Sequence, residues 1–97
     1  MTLHQIPQQR KDFFMEILDG EAFLYHLSDT RILYCNQTAV LVWQLCDGKR
    51  SCEEITTILQ DAFPEAGNTV TIDVKEALQQ FVEHKALVQL SAPCLND

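Results

Sequence analysis

The side chains of this sequence that are best suited to chemistry are thiols and imidazoles. They are Cys35, Cys46, Cys52, Cys94, His4, His26 and His84. Both groups bind zinc, but a structural zinc site needs a tetrahedral set of converging ligands, typically in pairs about two to four residues apart. No two cysteines lie closer in sequence than Cys46 and Cys52. We therefore expect neither a metal nor another cofactor.

A nucleophilic site would require a cysteine or serine beside a base that a further group orients. His26 and Cys35 lie in consecutive apolar runs and could be neighbours across two strands. A single histidine in a strand is more often structural, and Cys35 and Cys46 fit as small buried apolar residues. We expect the protein not to be an enzyme. A thiol-redox subunit is an alternative that loss of activity in a cysteine variant would support.

Composition is that of a small acidic globular domain. The 97 residues fit a single hydrophobic core, with 46% of them hydrophobic and 22% charged. The net charge of −7 argues against a nucleic acid as partner. No apolar run approaches the roughly 20 residues of a membrane span, and the N-terminus has no hydrophobic signal segment. We therefore expect a cytoplasmic protein that does not bind a membrane and whose cysteines are reduced.

Three runs rich in aromatic and β-branched residues predict a β-meander before the first helix. They are Phe13–Leu18, Glu21–Leu27 and Arg31–Cys35. Asp19-Gly20 joins the first two runs and is a strong hairpin signal, because both residue types tolerate a positive φ. The polar, glutamine-rich residues 1–11 are predicted to be a flexible lead-in.

After Asn36 the apolar period changes to that of a helix. The first predicted helix runs from Gln37 to Cys46, with Asn36 as its N-cap and Gly48 closing it in the left-handed conformation. A second helix begins at the capping box Ser51-Cys52-Glu53-Glu54 and stops at Pro64, since proline cannot continue the hydrogen-bond ladder.

A third helix is predicted to begin near Thr71 or Ile72, after the loop PEAGN, and to end at His84 or Lys85. Asp73 then lies in its first turn, where the macrodipole favours an acid. The apolar residues of the last two helices form one stripe on each. They are Ile55, Ile58, Leu59, Ala62 and Phe63 in the second helix, and Val74, Ala77, Leu78, Phe81 and Val82 in the third.

These elements predict an α+β fold with a three-stranded antiparallel N-terminal sheet followed by three helices, in a winged-helix-like arrangement. Leu87, Val88 and Leu90 would either form a short C-terminal strand or only pack against the core. The folded domain is predicted at residues 12–90, followed by a tail at 91–97.

The third predicted strand, Arg31–Cys35, would lie at an edge of the sheet with unpaired N–H and C=O groups. Proteins usually protect such an edge or use it to add a strand from a partner. Arg31 is its only charged residue, so the protection is light. An edge that is covered within the protein, or one that pairs in a dimer, would explain this light protection equally well. We expect a monomer or a weak homodimer.

Taken together, these segments resemble the PqqD-like family of peptide chaperones, also called RiPP recognition elements. The resemblance covers about residues 19–90 and rests on the order and spacing of its parts. They are the strand ending at Asn36, Thr38-Ala39 and Trp43 in the first helix, Asp47-Gly48, the Ser51–Ile55 helix start, and Asp73-Val74.

The resemblance implies a non-enzymatic domain that binds the leader segment of a ribosomally made precursor peptide. It would present the leader to a modifying enzyme, often a radical S-adenosylmethionine (SAM) enzyme, in the synthesis of pyrroloquinoline quinone (PQQ) or in another pathway. The leader would add as a strand beside Arg31–Cys35, in a groove shared with the third helix. The implied peptide-binding residues are Arg31, Ile32, Leu33, Tyr34 and Cys35 on the strand, and Lys75, Leu78, Gln79 and Val82 on the helix.

Two residues differ from the family pattern. Cys35 stands where leucine is usual before the asparagine, which predicts a smaller pocket. Lys85 stands where glycine is common at the end of the third helix. A non-glycine residue in a left-handed cap costs roughly 1 kcal/mol or more, so the helix is expected to end differently here.

A winged helix also suggests a DNA-binding transcription regulator, with its third helix in the major groove. That helix carries an excess of acids, which makes it a poor reader of a polyanion. The charged residues are Asp73, Glu76 and Glu83 against Lys75 and Lys85. Strongly salt-dependent binding of duplex DNA would favour this alternative.

Overall fold

The computed structural model describes residues 5–28 and 31–90, without the side chains of Gln89 and Leu90. The strands are β1 (Ile6–Gln9), β2 (Phe13–Leu18), β3 (Glu21–His26), β4 (Ile32–Cys35) and β5 (Leu87–Leu90). The helices are α1 (Gln37–Leu45), α2 (Cys52–Ala62) and α3 (Asn68–Glu83), with a short 3-10 helix at Pro64–Ala66. This confirms the predicted α+β fold and its C-terminal strand. His4, Cys94 and the predicted tail at 91–97 lie outside the described residues.

The antiparallel meander is confirmed, with the strand order β2-β3-β4. Leu18 pairs with Glu21 across the turn, where Asp19 has φ 54° and Gly20 has φ 81°. Two positive φ values are typical of the type I′ turn, whose twist matches that of the strands it joins. The third predicted strand is β4, and it begins at Ile32.

Residues 6–9 are not the flexible lead-in that composition suggested, because they form β1 and pair antiparallel with β5. The backbone N–H of Gln9 donates to the Cys46 carbonyl at 2.9 Å. The side-chain amide of Gln9 donates to the Trp43 carbonyl at 2.6 Å. A glutamine that looked like part of a polar tail therefore satisfies carbonyl groups at the end of α1. Local sequence could not reveal this strand, because its partner lies at the other end of the described chain.

α1 begins as predicted, with the Asn36 side chain accepting the backbone N–H of Ala39 at 2.8 Å. The predicted closure by Gly48 is wrong, since the C-cap residue is Cys46. Gly48 does have a positive φ, 80°, but it allows a close approach to β1. Its N–H donates to the Pro7 carbonyl at 3.0 Å, and a Cβ here would lie 3.1 Å from a glutamine side chain of β1.

The capping box of α2 is confirmed. The Ser51 hydroxyl accepts the N–H of Glu54 at 3.1 Å, and the Glu54 carboxylate accepts the N–H of Ser51 at 2.8 Å. The helix also stops before Pro64, as predicted. Its buried stripe is narrower than expected, because the last turn extends past the core. The buried residues are Cys52, Ile55 and Leu59, and the exposed ones are Ile58, Ala62 and Phe63.

α3 begins at Asn68, earlier than predicted, because the 3-10 helix and Gly67, with φ 59°, turn the chain within the segment expected to be a loop. Asp73 consequently lies in the second turn, and its predicted place beside the helix N-terminus is wrong. At the other end the expectation of an altered cap is also wrong. Lys85 adopts φ 60°, the left-handed conformation usually taken by glycine.

The helices pack over one face of the three-stranded sheet. Trp43 of α1 lies edge to face against Phe81 of α3, with ring centroids 5.2 Å apart. The sheet contributes Leu24, which is almost fully buried. α3 supplies the apolar residues predicted for it, although Val82 is only half-buried. Among the described residues, no helix is both long and apolar enough to cross a bilayer.

Candidate functional site

The hydrogen-bonding direction of β3 follows from the hairpin that precedes it. Leu18 and Glu21 flank a turn of two residues, which makes them a hydrogen-bonded pair. Farther along, the N–H of Leu27 donates to the Asp12 carbonyl at 3.2 Å. Backbone groups alternate in direction along a strand. Odd-numbered residues of β3 therefore bond to β2, and even-numbered residues point towards β4.

β4 consequently has a free hydrogen-bonding edge. The even-numbered residues of β3 lie opposite Leu33 and Cys35, so these two residues bond to β3. The N–H and C=O groups of Ile32 and Tyr34 point the other way, where no strand of the described chain pairs with them. The side chains of Ile32 and Tyr34 are 48% and 70% exposed. Those of Leu33 and Cys35 are half-buried against the helices.

A cleft of ≈ 380 Å³ opens between the C-terminal end of β4 and α3. Tyr34 and Cys35 line its strand side. Asp73, Glu76 and Gln80 line its helix side together with apolar groups. The structure thus brings the predicted strand residues next to α3, as the resemblance implied, but it gives the helix wall an acidic character that the sequence analysis did not assign to the site.

The predicted helix residues lie outside this cleft. They are Lys75, Leu78, Gln79 and Val82. Helix periodicity places most of them on the stripe of Thr71, whose hydroxyl accepts a hydrogen bond from the Gln60 side chain of α2 at 2.8 Å. This stripe is therefore the flank of α3 that faces α2, whereas β4 lies along the opposite flank. Leu78 is buried in the core, so its side chain is not accessible to a bound peptide.

A second cleft, of ≈ 260 Å³, lies at the start of β4 beside the C-terminus of α3. Its polar lining consists of Arg10, Asp12, His26, Arg31, His84 and Lys85. The predicted residue Arg31 is therefore exposed at the far end of the same strand. Sequence reasoning missed this cleft because its cations come from distant segments, and no local pattern joins them.

Two hydrogen bonds orient His26 within the second cleft. The backbone N–H of Ser28 donates to His26 Nδ1 at 3.0 Å, which requires this nitrogen to be without a proton. His26 Nε2 then carries the proton and donates it to Asp12 at 2.8 Å. The hydrogen bond from His26 lowers the pKa of Asp12. The Asp12 carboxylate is therefore held against the His26 ring.

The cysteines of the described residues, Cys35, Cys46 and Cys52, pack in or against the core rather than forming a reactive site. Burial raises the pKa of Cys35 to about 11 and that of Cys46 to about 12, so both thiols are protonated at neutral pH. His26 and Cys35 are not neighbours, because Cys35 pairs with Ala22 at the opposite end of β3. Within residues 5–28 and 31–90, no group of three or more His, Cys, Asp or Glu residues is arranged to hold a metal ion.

The outer face of the sheet, which the sequence analysis also missed, is aromatic. Phe14, Phe23, Tyr25 and Tyr34 form a chain of ring contacts with centroids 5.9 to 6.4 Å apart. Residue alternation along the strands was the signal that could have found it, because Phe14 pairs with Tyr25 and Phe23 with Tyr34. Tyr34 connects this face to the free edge of β4.

Known proteins resemble this chain over most of its length. The family model described as Coenzyme PQQ synthesis protein D (PqqD) matches residues 21–87. A protein of Kluyvera intermedia named PqqA binding protein is 36% identical over 83 residues, which cover 82% of this chain and 86% of that protein. No solved structure matches the chain significantly. The matched span contains the edge of β4 and the whole of α3, and the chain belongs to the PqqD family.

Proposed function

We propose that this protein binds the precursor peptide PqqA in PQQ synthesis, and that a segment of the peptide adds as a strand to the free edge of β4. The name of its relative, PqqA binding protein, and the family match support the choice of peptide. The observation that carries the mechanism is the unpaired edge of β4 beside a cleft to α3. In this proposal the protein is a binding partner and not a catalyst.

Strand addition uses the backbone groups of Ile32 and Tyr34. Each residue offers one N–H donor and one C=O acceptor, and a net backbone hydrogen bond contributes about 0.5–1.5 kcal/mol. Alternate side chains of the bound segment would then point into the cleft and onto the aromatic outer face. Backbone bonds would supply much of the affinity, while the cleft would supply the specificity.

On the helix side, we place the contacts on the flank of α3 that lines the cleft. Asp73, Glu76 and Gln80 are the polar residues of this flank. We assign the peptide contacts to these residues instead of Lys75 and Gln79, the exposed positions implied by the resemblance, because those two lie outside the cleft. The strand residues 31–35 keep the role that the resemblance implied for them.

We further propose that the bound leader is presented to a modifying enzyme, with a radical SAM enzyme as the class implied by the family resemblance. A segment held as an edge strand is extended, and the residues on either side of it remain outside the groove. The modifying enzyme could therefore reach the part of PqqA that follows the bound segment. Formation of a ternary complex tests this step separately from peptide binding.

The direct test of strand addition compares Tyr34→Pro with Tyr34→Ala. Proline removes the outward N–H of residue 34 and leaves the ladder to β3 intact, which is the one arrangement in which an edge strand tolerates proline. Alanine removes the same side chain but keeps the N–H. We expect PqqA to bind Tyr34→Pro at least about tenfold more weakly than Tyr34→Ala, since a hydrogen bond is lost and the ring obstructs the incoming strand.

The binding constants would be measured by calorimetry, and the site by NMR titration of the ¹⁵N-labelled protein with PqqA. Circular dichroism and the ¹⁵N spectrum of the free Tyr34→Pro protein verify its fold. Amide shifts along Ile32–Cys35 and at Gln80 are expected. Equal affinities of the two variants would refute strand addition at β4, and the absence of saturable binding to the wild-type protein would refute the choice of PqqA.

A further inference from the structure

The two clefts at opposite ends of β4, which together we call the groove, carry opposite charges. At the C-terminal end of β4, Asp73 and Glu76 line the larger cleft. At the start of β4, Arg10, Arg31 and Lys85 line the second cleft. Since the start of β4 lies beside the C-terminus of α3, the strand and the helix run in opposite directions along the groove. A segment bound beside β4 would therefore meet an acidic wall at one end and a basic one at the other.

Three of these charged side chains are open to a ligand. Within the described residues, Asp73, Glu76 and Lys85 form no ion pair. Glu76, Lys85 and Arg10 are also exposed to solvent. The carboxylate of the basic cleft, Asp12, supplies a single negative charge against the three cations, so it offsets them only in part. A cluster of cations is notable on a chain whose net charge is −7, because the rest of the surface repels acidic segments.

The distance between the acidic and the basic cleft can be expressed as a number of residues in a bound peptide strand. From Arg31 to Cys35 the chain advances by about 13 Å, at about 3.3 Å per residue. Along α3, the rise from Asp73 to His84 is about 16 Å, at 1.5 Å per residue. A peptide that pairs with β4 has the same rise as β4 itself. The peptide side chain that contacts the acidic cleft and the one that contacts the basic cleft are therefore about four residues apart in its sequence.

We propose that the groove selects a peptide segment with an acidic side chain beside Arg31 and Lys85 and a basic side chain beside Asp73 and Glu76, about four residues apart. This inference rests on the proposed function, because it assumes a strand bound along β4. A strand can add to a free edge in either direction, and backbone bonds alone discriminate poorly between the two. The charge pair sets the direction, since the reversed segment would place like charges together at both ends.

The test reverses one charge at each end and measures PqqA binding by calorimetry. Lys85→Glu and Glu76→Lys are the test variants, and Lys49→Glu and Glu65→Lys are their matched controls at exposed positions outside the groove. At about 20 mM salt, we expect each test variant to bind PqqA about five- to tenfold more weakly than wild type, with a smaller loss at about 500 mM salt. The controls should stay within about twofold of wild type.

The two test variants change the net charge in opposite directions, so a general attraction or repulsion cannot weaken binding in both. A second readout is zero-length carbodiimide coupling, which is expected to join the Lys85 amine to a carboxylate of bound PqqA. If wild type binds PqqA along β4 while both test variants match their controls, the charge-selective groove is refuted and strand addition stands. If wild type does not bind PqqA, the proposed function fails as well.

Discussion

Lys85 occupies a backbone conformation that favours glycine, and replacing it with glycine should stabilise the protein. Lys85 follows the C-cap of α3, and its φ of 60° lies in the left-handed region, where a Cβ is unfavourable. The Lys85 N–H donates to the Val82 carbonyl at 2.9 Å, and the Ala86 N–H donates to the Phe81 carbonyl at 2.8 Å. These are the two bonds of a Schellman motif, so the cap is fully formed despite the lysine.

The expected gain for Lys85→Gly is about 1 kcal/mol in the free energy of unfolding. Relief of the left-handed strain contributes roughly 1–2 kcal/mol. The greater conformational entropy of glycine in the unfolded chain reduces this gain in stability by about 0.4–1 kcal/mol. For a domain of this size, 1 kcal/mol corresponds to a rise in Tm of about 4–8 °C. Thermal and urea unfolding followed by circular dichroism would measure both quantities.

Two controls separate backbone strain from loss of the lysine side chain. Lys85→Ala removes the same charge but keeps the Cβ, and should leave stability within about 0.5 kcal/mol of wild type. Lys75→Gly removes an exposed lysine inside α3, where the backbone is right-handed, and should cost about 1 kcal/mol. If Lys85→Gly is no more stable than Lys85→Ala, the strain argument at this cap is refuted.

Three further predictions concern the core and the basic cleft. Cys46→Ala should lower the free energy of unfolding by about 1 kcal/mol in urea titrations, because a buried sulfur leaves a small void, and no loss would contradict its core role. Since the pKa of Cys35 is raised to about 11, iodoacetamide at pH 8 should alkylate it at least about a hundredfold more slowly in the folded than in the unfolded protein, as measured by peptide mass mapping. The pKa of Asp12 is lowered from 3.8 by its hydrogen bond to His26, so this carboxylate stabilises the fold above that pH and the contribution is lost as the pH falls through the folded-state value. Asp12→Asn should therefore be less stable than wild type at pH 7 and approach it below pH 3.8, and a difference that does not depend on pH would refute this linkage.

Local chemistry was enough to predict the elements whose ends are set by neighbouring residues. Asn36 and the capping box at Ser51 each satisfy backbone groups within a few residues, so their sequence signals are complete in themselves. The Asp19-Gly20 turn is of the same kind. The three strands around it and the first two helices were therefore predicted close to their observed bounds, whereas α3 begins at Asn68, before its predicted start near Thr71 or Ile72.

The errors lie where distant segments meet. Ile6–Gln9 becomes a strand only because Leu87–Leu90 pairs with it, and its own composition favours a loose terminus. Gly48 has the expected positive φ, but contact with β1 explains it better than a helix cap does. The cap at Lys85 shows that packing of α3 overrides a local preference of roughly 1 kcal/mol.

The free edge at β4 was foreseen because the order of the strands along the chain already places Arg31–Cys35 last in the meander. The family resemblance also rested on sequence alone. Which flank of α3 faces that edge depends on the rotation of the helix about its axis, and this is set by the burial of Val74 and Phe81 against α1 and α2. The same rotation places Asp73 and Glu76 opposite β4. The charges of the groove are therefore a property of packing, since residues far apart in sequence come together only when the core forms.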